Sequence, residues 1–312
     1  MPSPSVASLQ EQFGIPGAAS IVAGNGGLAK VVISGAEASG EMYLHGAHVT
    51  SWIPQDGSEG LYLSPNSLWQ DGRAIRGGVP ICFPWFGDKQ GDPSAPAHGV
   101  VRTKSWELES IERAEQGIVV TMSTASDDNS RKWSPFEFRL VCRVTFAREL
   151  TLELTTTNVG PAPVSFEEAL HAYFAVVNVE SAFVQGLEGN RYIDKTDNRT
   201  EKMQPDDIYL SGETDRVYLD TQQALRLFDP NQERCINVEK QNSQTTVVWN
   251  PWVQKSIDLK DLGTDAWKHF VCIETSNVAP FAVELQPGDS HMMAAVISIA
   301  TLSEPGLVGE LL

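Results

Sequence analysis

Two side chains in this 312-residue sequence are suited to moving protons. His171 lies in Phe166-Glu-Glu-Ala-Leu-His-Ala-Tyr-Phe174. Read as a strand, the segment puts His171 on one face with Glu167, Ala169 and Tyr173, opposite Phe166, Leu170 and Phe174. An imidazole facing away from an apolar layer titrates near neutral pH and can serve as a general acid, a satisfied buried histidine being the alternative. Glu274 closes the apolar run Phe270-Val-Cys-Ile. A carboxylate buried there needs a partner or a raised pKa, conditions that serve a general base and equally describe a structural ion pair.

A second group of residues is suited to holding a polar ligand. In Ala74-Ile-Arg-Gly-Gly-Val-Pro-Ile-Cys-Phe-Pro-Trp-Phe-Gly87, Arg76 precedes two glycines that allow a tight turn and close backbone approach to a ligand. The aromatics that follow offer flat faces to the C–H side of a pyranose, and a guanidinium forks onto oxygens; an aromatic-stabilised loop with a surface arginine is the alternative. In Ala97-His-Gly-Val-Val-Arg102, Arg102 could complete an anion site with Arg76, while His98 taken alone reads equally as structural. Trp249, in Thr245-Thr-Val-Val-Trp-Asn-Pro-Trp252, ends a strand in an aromatic cluster, and Asp215 is a plausible hydroxyl acceptor. Each of these two is a weak signal by itself.

Composition removes several classes. Twenty-three basic residues against 40 acidic ones leave a formal charge of −17, which repels phosphate backbones and argues against nucleic acid. No apolar run approaches the roughly 18–20 residues that span a bilayer, and the first 17 residues lack a signal peptide's basic start and apolar stretch, so the expectation is a cytoplasmic protein with no membrane partner. Cys82, Cys142, Cys235 and Cys272 are far apart, form no CxxC pair and sit among apolar neighbours; they read as inert core thiols, with no metal site.

The elements that must position these groups repeat with a period of two. Phe138, Leu140, Cys142, Val144 and Phe146 alternate with Arg139, Val141, Arg143 and Thr145; Leu150, Leu152 and Leu154 follow, and Asn158-Val-Gly160 makes a turn, so a hairpin is predicted. Further strands are read at Lys30–Ser34, Met42–Trp52, Ile118–Ser123, Ala224–Phe228, Thr245–Trp249, Phe270–Glu274 and Met292–Ile299. No sustained 3.6-residue stripe, internal repeat or linker is visible, which predicts an all-β chain, residues 1–312 forming one antiparallel domain of two stacked sheets behind a loose N-terminal extension of about twenty residues. Asp71–Arg102 and Glu188–Asp220 read as long loops; such loops on a β scaffold usually carry function, and disorder is the alternative for the second.

The order of the motifs adds more than any one of them. IRGGVPICFPWFG, AHGVVR, LHAYF, ETD, VVWNPW and CIE, with LHGAHVTSW near residue 48, resemble the hexose-6-phosphate branch of the aldose 1-epimerase (galactose mutarotase-like) family from about Val31 to Ile299. The resemblance implies a large antiparallel β-supersandwich whose concave face binds a pyranose. It implies His171 and Glu274 as the catalytic pair, on opposite sides of one hemiacetal, with Arg76, Arg102 and Asp215 binding substrate. Some members carry glutamine at the position of Ala97, so a side-chain contact is lost here and a backbone one can persist; His98 and Trp249 are further lining candidates. The implied reaction interconverts the α and β anomers of a hexose 6-phosphate, with no metal or other cofactor and a monomer as the default. A non-catalytic carbohydrate-binding module, a mutarotase of unphosphorylated aldoses, and a glycosidase pairing Glu167 or Glu168 with Glu274 are the competing readings.

Overall fold

A computed structural model describes residues 4–302. Two large antiparallel sheets face each other across one main core. The nine-stranded sheet runs in the spatial order 208–209, 183–185, 225–229, 234–241, 290–301, 150–158, 138–146, 117–125, 107–114. The predicted hairpin pairs Phe138↔Asn158 through Phe146↔Leu150 in unbroken register, and alternate residues Phe138, Leu140, Cys142, Val144 and Phe146 are buried. The eight-stranded sheet runs 200–203, 191–194, 214–219, 245–250, 270–277, 168–170, 81–82, with 173–175 also paired to 270–277.

The pleat of this second sheet creates the site. Val271 and Ile273 point into the main core, as do Val248 and Tyr218 from neighbouring strands, so Cys272, Val247, Trp249 and Val217 lie on the other face in a cluster of their own. By the same alternation Glu274 and Asp215 belong to that outer face. Cross-strand register aligns Asp215, Trp249, Cys272 and Tyr173 in one row and Val217, Val247 and Glu274 in the next.

The structure departs from the sequence reading in three places. The opening segment is packed rather than loose: Val6–Phe13 is a helix that buries Leu9, and Ala19–Ala23 pairs with Ala29–Ser34 as the edge of a four-stranded sheet. The stretch 42–52 is two strands, Ala38–Tyr43 and His48–Pro54, because the chain reverses at Gly46 and Ala47, both at positive φ. The stretch 188–220 contains Arg191–Asp194, Thr200–Met203, Ile208–Tyr209 and Thr214–Leu219. The first two form a hairpin at the sheet edge, half open to solvent, so they lack the apolar alternation by which a strand is recognised. The stretch 71–102 does stay largely irregular, with only Ile81–Cys82 in a strand.

Candidate active site

His171 falls in the gap between Glu168–Leu170 and Tyr173–Ala175, two short strands that pair with the same partner, Phe270–Asn277. Leu170 faces Thr275 and Tyr173 faces Cys272, so continuing the register places His171 directly opposite Glu274. His171 Nε2 lies 3.3 Å from Glu274 Oε1, and both side chains are almost wholly buried. The pair therefore sits side by side rather than on opposite sides of a gap. Both groups face one cavity of about 890 Å³.

The proposed catalytic and substrate-binding residues all line that cavity: Arg76, Ala97, His98, Arg102, His171, Asp215, Trp249 and Glu274. The loop 71–102 forms one wall. Gly77 and Gly78 serve packing rather than ligand approach: both have positive φ, and a Cβ would lie 2.4 Å from the Tyr62 carbonyl oxygen and 2.2 Å from that of Val49 respectively. His48 Nε2 donates to the Gly77 carbonyl at 2.7 Å, which pins this turn to the four-stranded sheet. Phe83 is buried among Phe136, Phe138 and Phe166, so of the aromatic run only Trp85 and Phe86 reach the cavity.

The two arginines differ in their commitments. Arg76 donates from Nε and Nη2 to Asp261 Oδ2 at 3.2 and 3.1 Å, and from Nη1 to the Tyr173 hydroxyl at 3.1 Å. Tyr173 in turn stacks on the His171 ring at 4.9 Å between centroids. Arg102 donates from Nη2 to the Ala97 carbonyl at 2.9 Å, so the backbone group at Ala97 is taken; its Nε is buried without a partner, and no carboxylate pairs with it among the described residues. Asp215 Oδ2 holds Lys195 Nζ at 3.0 Å, and Lys195 lies over the Phe86 ring. His98 Nδ1 accepts from the Gly87 N–H at 3.3 Å, and its ring meets that of His171 edge to face.

Electrostatics set the proton inventory. Burial, then Arg102 and Arg76, push His171 well below the ordinary histidine value. Burial, then Asp215, push Glu274 well above the ordinary carboxyl value. Both shifts favour the neutral forms, imidazole beside carboxylic acid across the 3.3 Å contact, whereas the sequence reading uses His171 as the acid. Glu274 Oε2 and His171 Nδ1 are both buried without a partner, so each retains capacity for a ligand's polar atoms.

Charge in the cavity opposes that of the chain. Its lining holds six cations, Arg76, Lys89, Arg102, Lys195, Arg199 and Lys255, against four carboxylates, Asp88, Glu167, Asp215 and Glu274. Lys195 and Arg199 escaped the sequence reading because they occupy a polar stretch with no motif around them. Glu167 is a clasp: its two oxygens accept the Phe86 and Ala279 N–H groups, each at 2.8 Å. Glu168 is turned away and engaged by Thr156, Asn277 and His291, so it cannot form the second carboxylate of a glycosidase with Glu274.

Most of the chain has relatives among known proteins. An E. coli K12 protein named "Putative glucose-6-phosphate 1-epimerase" is 34% identical over 269 residues, 85% of this chain and 89% of its own. A protein of the same name from Cenchrus ciliaris is 33% identical over 277 residues, 84% of this chain and 82% of its own. The crystal structure of a "putative mutarotase" from Salmonella typhimurium superposes with a TM-score of 0.85 at 31% identity, covering 91% of this chain and 94% of the other. The family model for aldose 1-epimerase matches residues 30–298, from the second strand to the last, and the chain belongs to that family.

Proposed function

We propose that this protein is a hexose-6-phosphate 1-epimerase acting on glucose 6-phosphate or a close hexose relative, with His171 and Glu274 as its acid–base pair. The observation that carries the reading is the register-paired contact of 3.3 Å between these two side chains, in the floor of a cation-rich cavity on an otherwise strongly acidic protein. The names of the relatives agree with it.

In this mechanism Glu274, as carboxylate, takes the proton of the C1 hydroxyl while His171, as imidazolium, gives one to the ring oxygen O5. The C1–O5 bond breaks to an open aldehyde, which rotates about C1–C2; the C5 hydroxyl then adds to the opposite face of the carbonyl and both protons return. O1 and O5 are bonded to the same carbon, so two groups set side by side can serve both at once. The imidazolium–carboxylate form carries the same single proton as the resting pair, and moving it across the contact needs no exchange with solvent. A bound phosphate offsets Arg102 and Arg76, the charges that depress His171, and so favours the transfer. Arg76, Arg102 and Asp215 bind the substrate in this account, with Trp249 and His98 lining the ring site; holding the distal phosphate also orients C1.

The test is anomer exchange followed by NMR magnetisation transfer on glucose 6-phosphate. Wild-type protein accelerates exchange and His171→Asn does not, with a native circular dichroism spectrum. Binding of one anomer without exchange by the wild type would make the protein a carbohydrate-binding module instead.

A further inference from the structure

Most of the cavity's cations are already engaged. Arg76 is held by Asp261 and Tyr173, Lys255 by Glu213 at 2.9 Å, Lys89 by the Trp133 carbonyl, and Arg102 by the Ala97 carbonyl. Arg199 is different: it lines the cavity yet makes no ion pair or hydrogen bond with any described residue. It stands at the tip of the hairpin formed by Arg191–Asp194 and Thr200–Met203, where Asn198 and Arg199 turn the chain at positive φ. Lys195 begins the same tip and lines the same cavity.

The hairpin sorts its own charges. Its three carboxylates, Asp194, Asp197 and Glu201, do not line the cavity; Lys202 binds the first two at 2.8 Å and Arg191 binds the third at 2.7 Å. Two cations outside the cavity lining thus compensate all three acids, and the tip presents Lys195 and Arg199 to the cavity. Lys195 Nζ reaches Asp215 Oδ2 at 3.0 Å, one register row from Glu274, so the tip adjoins the reacting pair.

We infer that the 195–199 hairpin tip is the outer half of a phosphate subsite, in which Lys195 and Arg199 grip the exocyclic phosphate of the sugar and set the preference for phosphorylated over free hexoses. This rests on the epimerase reading above. Arg76 and Arg102 sit deeper, beside His171, and Arg76 offers only the N–H groups that Asp261 and Tyr173 leave over. A phosphate dianion needs more than that, and the uncommitted guanidinium of Arg199 supplies it in a geometry suited to phosphate oxygens. Nothing in the tip's sequence marks it, because the subsite exists only once the edge hairpin folds over the cavity.

Arg199→Asn tests this, since asparagine tolerates the left-handed backbone and Arg199 is exposed. The ratio of kcat/KM for glucose 6-phosphate to that for free glucose should fall roughly tenfold or more, the size of one lost charge-assisted contact, and Arg199→Lys should restore much of it. A ratio unchanged within about twofold overturns the inference while leaving the epimerase reading intact. The two can fail separately, because inorganic phosphate binding measured by calorimetry needs no turnover. If the wild type exchanges no hexose the epimerase reading falls, yet weaker phosphate binding by Arg199→Asn still supports the subsite, and equal binding by both proteins overturns it.

Discussion

Replacing Glu274 by glutamine separates its chemistry from its packing. Glutamine has nearly the same shape, and the strand Phe270–Asn277 is held by backbone pairing to Thr245–Asn250 on one side and to the His171 segment on the other. What is lost is the proton carrier 3.3 Å from His171 Nε2. A single positioned acid or base contributes roughly 10²–10⁴-fold, so exchange should fall by that factor. Stability should move the other way. Burial and Asp215 raise the folded-state pKa of Glu274, so the folded protein holds the carboxyl proton that the unfolded chain releases above about pH 4.5. This group's stabilising contribution is complete below that pH and is lost as pH rises towards the folded pKa, at up to about 1.4 kcal/mol per pH unit. Glutamine has no proton to lose, so at pH 7 Glu274→Gln should melt at or above the wild-type temperature. Magnetisation transfer reads the first effect and thermal unfolding the second. Wild-type exchange in the variant would refute the assignment of the base, and a large fall in melting temperature would refute the neutral resting pair.

Three further outcomes follow from the same geometry. Arg102→Met removes the charge that, after burial, depresses His171 most, so the His171 titration followed by NMR should move up in pH. Glu167→Gln sets an amide N–H against one of the two backbone donors that Glu167 now accepts, which should cost about 1–3 kcal/mol in urea unfolding. His48 is pushed down to about 3 by burial, so its contribution to stability is complete above pH 6.5 and falls away as pH drops towards 3. His48→Gln should make the acid limb of unfolding free energy against pH shallower, by up to about 1.4 kcal/mol per pH unit.

Where one face of a strand meets the main core, the sequence reveals it. The alternation in 138–146 predicts the hairpin with Leu150–Asn158, whereas 270–273 is apolar on both faces and only the fold turns Glu274 away from Val271 and Ile273. The parity of 166–174 likewise turns Leu170 and Phe174 into the core and His171 away from it. What no local pattern carries is sheet register: nothing near His171 says that its partner across the ladder is residue 274. Proton placement is hidden for a related reason, since it depends on burial and on Arg102 and Arg76 brought in from a different segment. The 191–203 hairpin is hidden in the sequence because an edge strand with both faces partly wet need not alternate. The glycines after Arg76 signal a tight approach in the sequence, but the neighbour is the protein's own backbone at Val49 and Tyr62 rather than a ligand.

In the proposed mechanism this imidazole and carboxylate interconvert the anomers of a phosphorylated hexose. Its most direct test is wild-type magnetisation transfer between α and β anomers of glucose 6-phosphate and of free glucose in parallel, at matched pH and concentration. Enzyme-dependent exchange should be markedly faster for the phosphorylated sugar. Equal rates for the two sugars would mean that the phosphate is not recognised, and spontaneous rates for both would mean that His171 and Glu274 do not catalyse the exchange.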